Sequence, residues 1–185
     1  MPIIDALMRE LNYTGFMPNR GRMVVACYLT MDIRQDWRYG ASYFEQMLLD
    51  HDCSSNYGGW AGSSGIGAGR VLVFNSLTQS QKFDPKGDYI RRWVPELEDV
   101  PDDYIHDPWN MPAILQKNSG VQIGGDKPKE GSEVKYYPAP IKCDKYTTLE
   151  AAKKIKRSSG TKAAPVAKKG PTQKTLLDKL VATKI

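Results

Sequence analysis

The chain has 185 residues, 41% of them hydrophobic, and a formal net charge of +5. That length holds one domain of ordinary size and a tail, and no apolar run approaches the ~20 residues of a membrane-spanning helix, so a soluble protein is expected. Cys27, Cys53 and Cys143 form no CxxC pair, which argues against a disulfide framework and a thiolate zinc site and for reduced, idle thiols.

A first helix is expected from Pro2, which suits the first helical position because its missing N–H has no partner there. Ile3, Ile4, Leu7, Met8 and Leu11 repeat at helical spacing, and Gly15 stops the segment. Met1 lies too close to this helix to leave room for a signal or transit peptide. Asn19 is the expected N-cap of a second helix, "RGRMVVACYLT", with Gly21 a weak point. Residues 23–29 are apolar nearly all round, which makes this helix central. Asp36 is placed to cap a third helix over residues 37–49, with Tyr43, Phe44, Met47 and Leu48 facing inward.

"DHDCSSNYGGW", residues 50–60, follows directly, and "GGWAGSSGIGAGR" has the composition of a flexible surface loop. A short helix is expected at about residues 87–94, after "FDPKG" and before Pro95. From Met111 onward Pro, Gly, Ser and Lys dominate, and "YYPAPI" is expected to run extended along the surface. Near the C-terminus "TTLEAAKKIKR" and "TQKTLLDKLVATKI" have helical character on either side of a linker-like stretch. With no repeat and no alternating strand series, the expected fold is all-α with a disordered basic tail.

The charge is unevenly placed. Residues 142–185 hold 12 Lys and Arg against 3 Asp and Glu; the rest of the chain holds 14 against 18. The tail, not the mildly acidic body, carries the signal for a polyanion partner.

Three kinds of chemistry are open to residues 50–60. His51 and His106 are the only histidines, and the adjacent Asp50, His51 and Asp52 would point in different directions on a helix; a polar helix end explains them better than a metal site. "GIGAG" has no strand before it and no Lys-Ser pair after it, so it lacks the setting of a nucleotide loop. An acid–base pair of Asp50 and Asp52 needs environments that separate the two pKa values, and nothing in the sequence supplies them. Arg22 is a better partner: a buried carboxylate needs a cation, and arginine pairs with carboxylates through two nitrogens. Trp37 and Trp60 each fit core packing. Together they would flank a polar, glycine-bounded pocket suited to an aromatic cofactor and electron transfer.

Three ordered blocks carry a family resemblance. "IDALMRELNYTGFMPNRGRMVVACYLT", "DWRYGASYFEQMLLDHDCSSNYGGW" and "KFDPKGDYIRRWVPELEDVPDDYIHDPW" resemble the cryptochrome/photolyase family over about residues 2–112. "TGFMPNRGR", "NYG-W" and "YYPAPI" look most like DASH-type cryptochromes; "GGW" and "KFDPKGDYIRRWVPEL" also resemble cyclobutane-dimer photolyases. The resemblance implies an all-helical FAD-binding domain, of which this chain holds the C-terminal part. Residues 1–112 would be the partial FAD domain, 113–141 an extended closing segment, and 142–185 a basic, largely disordered tail. A folate- or deazaflavin-type antenna chromophore would belong to an N-terminal domain missing here, and Met1 would mark a truncated gene model or fragment.

By resemblance, Arg22 and Asp50 pair beside the isoalloxazine, Asp52 lies at its polar edge, and Asn56 faces N5. Asn19 lies between the adenine and the lesion pocket, which Met23 lines. Trp60 is the flavin-proximal member of the electron-transfer chain and Trp37 the next. The chemistry implied is light-driven electron donation from reduced flavin to a pyrimidine dimer, in single-stranded DNA by preference, with phosphate contacts giving affinity. One departure stands out: two residues after Trp60 the family has an aromatic against the lesion, and here it is Gly62. Stacking on one aromatic contributes about 1–3 kcal/mol per base.

Three functions follow: a DNA photolyase or DASH-type cryptochrome, a non-catalytic blue-light photoreceptor or nucleic-acid-binding module, or a fragment inactive alone. "KKIKR" followed ten residues later by "KK" resembles a bipartite nuclear signal and would bind an import receptor; a tail that tracks DNA or RNA is the competing expectation. An organelle remains open.

Overall fold

The computed structural model describes residues 1–66, 74–128 and 131–141. The expectations placed on 142–185, the nuclear signal and the two tail helices among them, lie outside the described residues.

Helix α1, Pro2–Thr14, begins with Pro2 at its first position and ends on Gly15 in the left-handed conformation, φ 71°. Its buried stripe includes Ile3, Ile4, Leu7 and Leu11, close to the expected one. Helix α2, Asn19–Cys27, is capped differently from expectation. Pro18 holds the N-cap position in an extended conformation, and Asn19 is already helical and makes no capping bond. The Pro18 carbonyl accepts from Arg22 N at 3.1 Å. Gly21 is a close contact rather than a weak point: a Cβ there would lie 2.5 Å from a Leu7 methyl. A π-turn, Tyr28–Asp32, follows α2; such turns gather at functional sites, and no sequence signal announced it.

Helix α3, Trp37–Met47, is capped by Asp36, whose carboxylate accepts from Arg38 N at 3.0 Å. Phe44 and Leu48 of the expected stripe are buried, and Tyr43 and Met47 pack against the core at its edge. Helix α4, Cys53–Ser63, runs through half of the stretch expected to be a loop. It continues because Asp52 caps it, accepting from Ser55 N at 2.7 Å, and because Trp60 is buried on its inner side.

Helix α5, Ser76–Phe83, and helix α6, Asp88–Trp93, are joined by "DPKG". Asp84 is buried and accepts from the backbone N–H of Tyr89 and Ile90, at 3.1 and 3.0 Å. Gly87, φ 74°, lies against Ile105, which leaves no room for a Cβ. Helix α7, Ala113–Asn118, and strands β1, Val121–Ile123, and β2, Lys135–Tyr137, occupy the segment expected to be extended. The strands pair in parallel, Val121 opposite Lys135 and Ile123 opposite Tyr137. The fold is therefore mostly helical rather than all-α.

Helix α1 packs on α6 and α2, α2 on α4, and α4 on α3. The base around α1 is laced by polar ties. Two Arg9 nitrogens donate to the two Glu96 oxygens at 2.7 and 2.8 Å. Tyr89 donates to Glu10 at 2.6 Å, and the Tyr137 hydroxyl donates to Asp5. Tyr137 is thus a buried anchor, although "YYPAPI" was expected to hug the surface; only the Pro138–Ile141 end is exposed. Among the described residues no helix is long and apolar enough to cross a membrane.

Candidate functional site

One cleft of about 270 Å³ opens between α2, α4 and the turn that joins α3 to α4. Asn19, Arg22 and Met23 enter it from α2, Asp50, His51 and Asp52 from the turn, and Asn56, Gly59 and Trp60 from α4. Every sequence-expected site residue except Trp37 therefore lines one cavity. Ala26, Phe44 and Leu48 give it an apolar floor.

Arg22 is fixed at three points. Its Nε donates to the Met17 carbonyl at 2.7 Å, one terminal nitrogen donates to both Asp50 oxygens at 2.8 Å, and its guanidinium lies 5.7 Å from the Phe16 ring centre. The pair is real, but it is neither buried nor two-pronged: Asp50 keeps 50% of its side-chain surface. A pair that exposed contributes about 0–1 kcal/mol to folding. What it provides is a fixed charge pattern at the mouth of the cleft.

Asp52 works first as a cap. The Ser55 backbone N–H, then the Ser55 side chain, hold its carboxyl below the ordinary aspartate range. Asn56 is half-buried, and its Nδ2 donates to the Ala41 carbonyl of α3 at 2.9 Å. That bond fixes the amide and leaves its oxygen to accept an N–H from the cleft. Trp60 is 3% exposed, meets Phe44 edge-on with ring centres 5.0 Å apart, and sits directly over Gly40. A Cβ at Gly40 would fall 2.1 Å from the indole. Trp37 lies at the start of α3 and meets Tyr57, not the cleft.

Two features fit the cleft to a flat ligand with a polar edge. Gly59 of α4 lines the cleft, and a Cβ added there would meet nothing within 4 Å, so at that point the helix presents bare backbone to a ring. The His51 Nε2 is enclosed without a hydrogen-bond partner among the described residues, and a buried polar atom left so is costly unless something supplies one. At about 270 Å³ the cleft lies just below the ~300 Å³ at which small-molecule sites begin. It has room for part of a large planar ligand rather than the whole of one.

Sequence reasoning missed a rim beside the cleft. The Arg20 guanidinium lies 5.2 Å from the Phe74 ring centre and 5.4 Å from that of Phe83, which is 56% exposed; Lys82 lies 5.5 Å from the Phe83 ring centre. No spacing rule joins Arg20 to Phe83, because the chain brings them together only through α5. Tyr57 was also missed, although its place three residues before Trp60 on one helix put it within reach.

The family model described as the FAD binding domain of DNA photolyase matches residues 1–157. The chain belongs to the cryptochrome/photolyase family. It is 51% identical over 130 residues to the cryptochrome DASH of Synechocystis sp., covering 69% of this chain and 27% of that protein. It is 53% identical over 116 residues to the deoxyribodipyrimidine photo-lyase of Vibrio cholerae, covering 61% of this chain and 25% of that protein. The crystal structure of a Synechocystis cryptochrome superposes with a TM-score of 0.70 at 46% identity, over 83% of this chain and 30% of that one. A class III photolyase from Agrobacterium tumefaciens does so at 0.67 and 36%, over 86% and 31%. The chain thus spans about a quarter of the length of the curated relatives it matches.

Proposed function

We propose that this chain forms one wall of the flavin site of a blue-light-driven DNA photolyase of DASH type, which transfers an electron to pyrimidine dimers, by preference in single-stranded DNA. The observation that carries this is the convergence of the Arg22–Asp50 pair, Asn56 and Trp60 on one cleft where Gly59 leaves the α4 backbone bare. Bound FAD would supply the light-driven one-electron chemistry. The chain's residues bind and orient. Gly59 gives the ring room, Asn56 offers its oxygen to a ring N–H, and the Arg22–Asp50 pair and Asp52 set the field at the polar edge. Trp60, with water excluded, is the electron's way in and out, and Trp37 is the next step. A folate- or deazaflavin-type antenna chromophore would belong to a part of the protein outside this chain.

DNA would approach the α2 side of the same cleft, which Asn19 and Met23 line. Asn19 and Met23 face the lesion, while Arg20, Lys82 and the exposed Phe83 offer phosphate contacts and a stacking surface. Gly62 favours a second reading, a photoreceptor that holds flavin and nucleic acid without repair, because no aromatic is present there to stack on a dimer.

The test is direct. Titrate the full chain with FAD, follow flavin fluorescence, and then illuminate with blue light, with a thiol as external reductant, in the presence of single-stranded oligonucleotides carrying a dimer. Repair abolished by Trp60→Phe or Asn56→Ala supports the proposal. Flavin bound with the dimer intact leaves the photoreceptor, and failure to bind flavin ends both readings for this chain.

A further inference from the structure

Helix α4 carries a redox-active side chain that the flavin reading does not use. The Tyr57 ring meets Trp37 edge-on, ring centres 6.2 Å apart and planes at 82°. Its hydroxyl donates to Glu45 Oε2 at 2.7 Å. Tyr57 is half-buried and Glu45 is exposed on α3. Trp60, one turn further along α4, makes its ring contact with Phe44 instead. Trp37 therefore stands next to a phenol already hydrogen-bonded to a carboxylate that opens to water.

We propose that Tyr57 is the terminal electron donor of this wall, with Glu45 as its proton acceptor. The Trp37 radical cation takes one electron from Tyr57 and returns to the neutral indole. The Tyr57 O–H bond breaks, its proton passes to the Glu45 carboxylate, and a neutral tyrosyl radical remains. Glu45, now a carboxylic acid, gives the proton to solvent. The oxidant is the oxidised indole, formed when a photoexcited flavin draws an electron through Trp60 and Trp37; in that respect the step rests on the proposed function.

The geometry explains why the donor is this tyrosine. Electron loss makes a phenol strongly acidic, so its oxidation is easy only where a base waits in line. The Glu45 hydrogen bond also holds the phenol pKa above its ordinary value. The proton therefore stays on oxygen until the electron leaves. A tyrosyl radical at Tyr57, with its proton gone, cannot return the hole to Trp37 without recovering a proton.

The experiment needs no flavin. The full chain is oxidised by flash-quench with a ruthenium polypyridyl photosensitiser, and tryptophanyl decay and tyrosyl rise are followed by transient absorption. All variants carry Trp93→Phe, because Tyr13 lies 6.0 Å from Trp93 and gives a background transfer. The expected result is a first-order conversion of tryptophanyl to tyrosyl that does not depend on protein concentration. It is lost in Tyr57→Phe and in Trp37→Phe. Glu45→Gln slows it by roughly a hundredfold, the low end of what a positioned proton acceptor contributes. An unchanged phase in Tyr57→Phe overturns the donor, and an unchanged rate in Glu45→Gln overturns the acceptor. A chain that binds no flavin but keeps the Tyr57 phase refutes the proposed function and leaves the relay standing.

Discussion

The base of the molecule and the wall of the cleft are built to different rules. At the base, α1, α6 and β2 enclose Leu11, Ile90, Leu97 and Tyr137, and charged and phenolic side chains there are tied in pairs: Arg9 with Glu96, Glu10 with Tyr89, Asp5 with Tyr137. At the cleft, Asp50 is half exposed, and Gly59 leaves the α4 backbone bare, with nothing within 4 Å of where its Cβ would be. Folding alone favours the first pattern. The second spends helix propensity and leaves a half-exposed carboxylate and bare backbone facing open space, which makes sense where a ligand completes the surface.

The comparison is broken or sharpened first in the base. Leu11→Ala is expected to cost about 2–5 kcal/mol, because Leu11 is fully enclosed and leaves a cavity; a denaturant midpoint that stays unchanged would contradict the packing. At the boundary between the regions, Gly40→Ala should cost about 1–3 kcal/mol and move the Trp60 indole out of place. Its signature is a shift in tryptophan fluorescence together with the stability loss. If stability falls while the Trp60 emission stays put, some other side chain absorbs the clash.

Glu96→Gln is expected to cost less, about 1 kcal/mol, since the amide keeps part of the pairing. Burial pushes the Glu96 carboxyl up, but the Arg9 hydrogen bonds and charge outweigh it and hold the pKa below the ordinary value. The folded pKa is therefore depressed. The stabilisation is fully present above the unfolded value, ~4.3, and is lost as pH falls through the lower folded value. Unfolding curves of wild type and Glu96→Gln should accordingly converge below about pH 4 and separate above it. Curves that stay parallel at all pH values would remove Glu96 from the account of acid stability.

Much of the base was legible because periodicity and caps are local. Pro2, Gly15 and Asp36 act as their positions suggest, and the α1 stripe follows its spacing. Errors came where a distant contact decided the matter. Tyr137 is buried because Asp5 and the core around α1 receive it, across more than a hundred residues of sequence. Gly58 to Ser63 are helical although their composition suggests a loop, because the Asp52 cap and the Trp60 anchor outweigh three weak helix formers. The resemblance named the cleft residues, yet its longest block serves the base. In "KFDPKGDYIRRWVPEL", Asp84 caps α6, and Arg91 binds the Lys86, Glu98 and Val100 carbonyls and Asp102. The resemblance therefore identified the family partly through residues that only fold it.

The smallest stability effect gives the sharpest contrast. A helix-interior Gly→Ala change ordinarily stabilises by about 0.5–1 kcal/mol, because the chain loses less conformational freedom on folding. At Gly59 the new methyl would meet no protein atom within 4 Å and would project into the cleft. Gly59→Ala should therefore raise the midpoint of thermal unfolding slightly while weakening flavin binding, because the methyl occupies the space in which a planar ring would approach the helix backbone. Calorimetry and a flavin titration on the same sample separate the two effects. If stability rises and flavin affinity is untouched, the bare face of α4 is not where the ring lies. If stability falls, some contact with Gly59 matters to folding, and the division between a base built for folding and a wall built for a ligand fails at its clearest position.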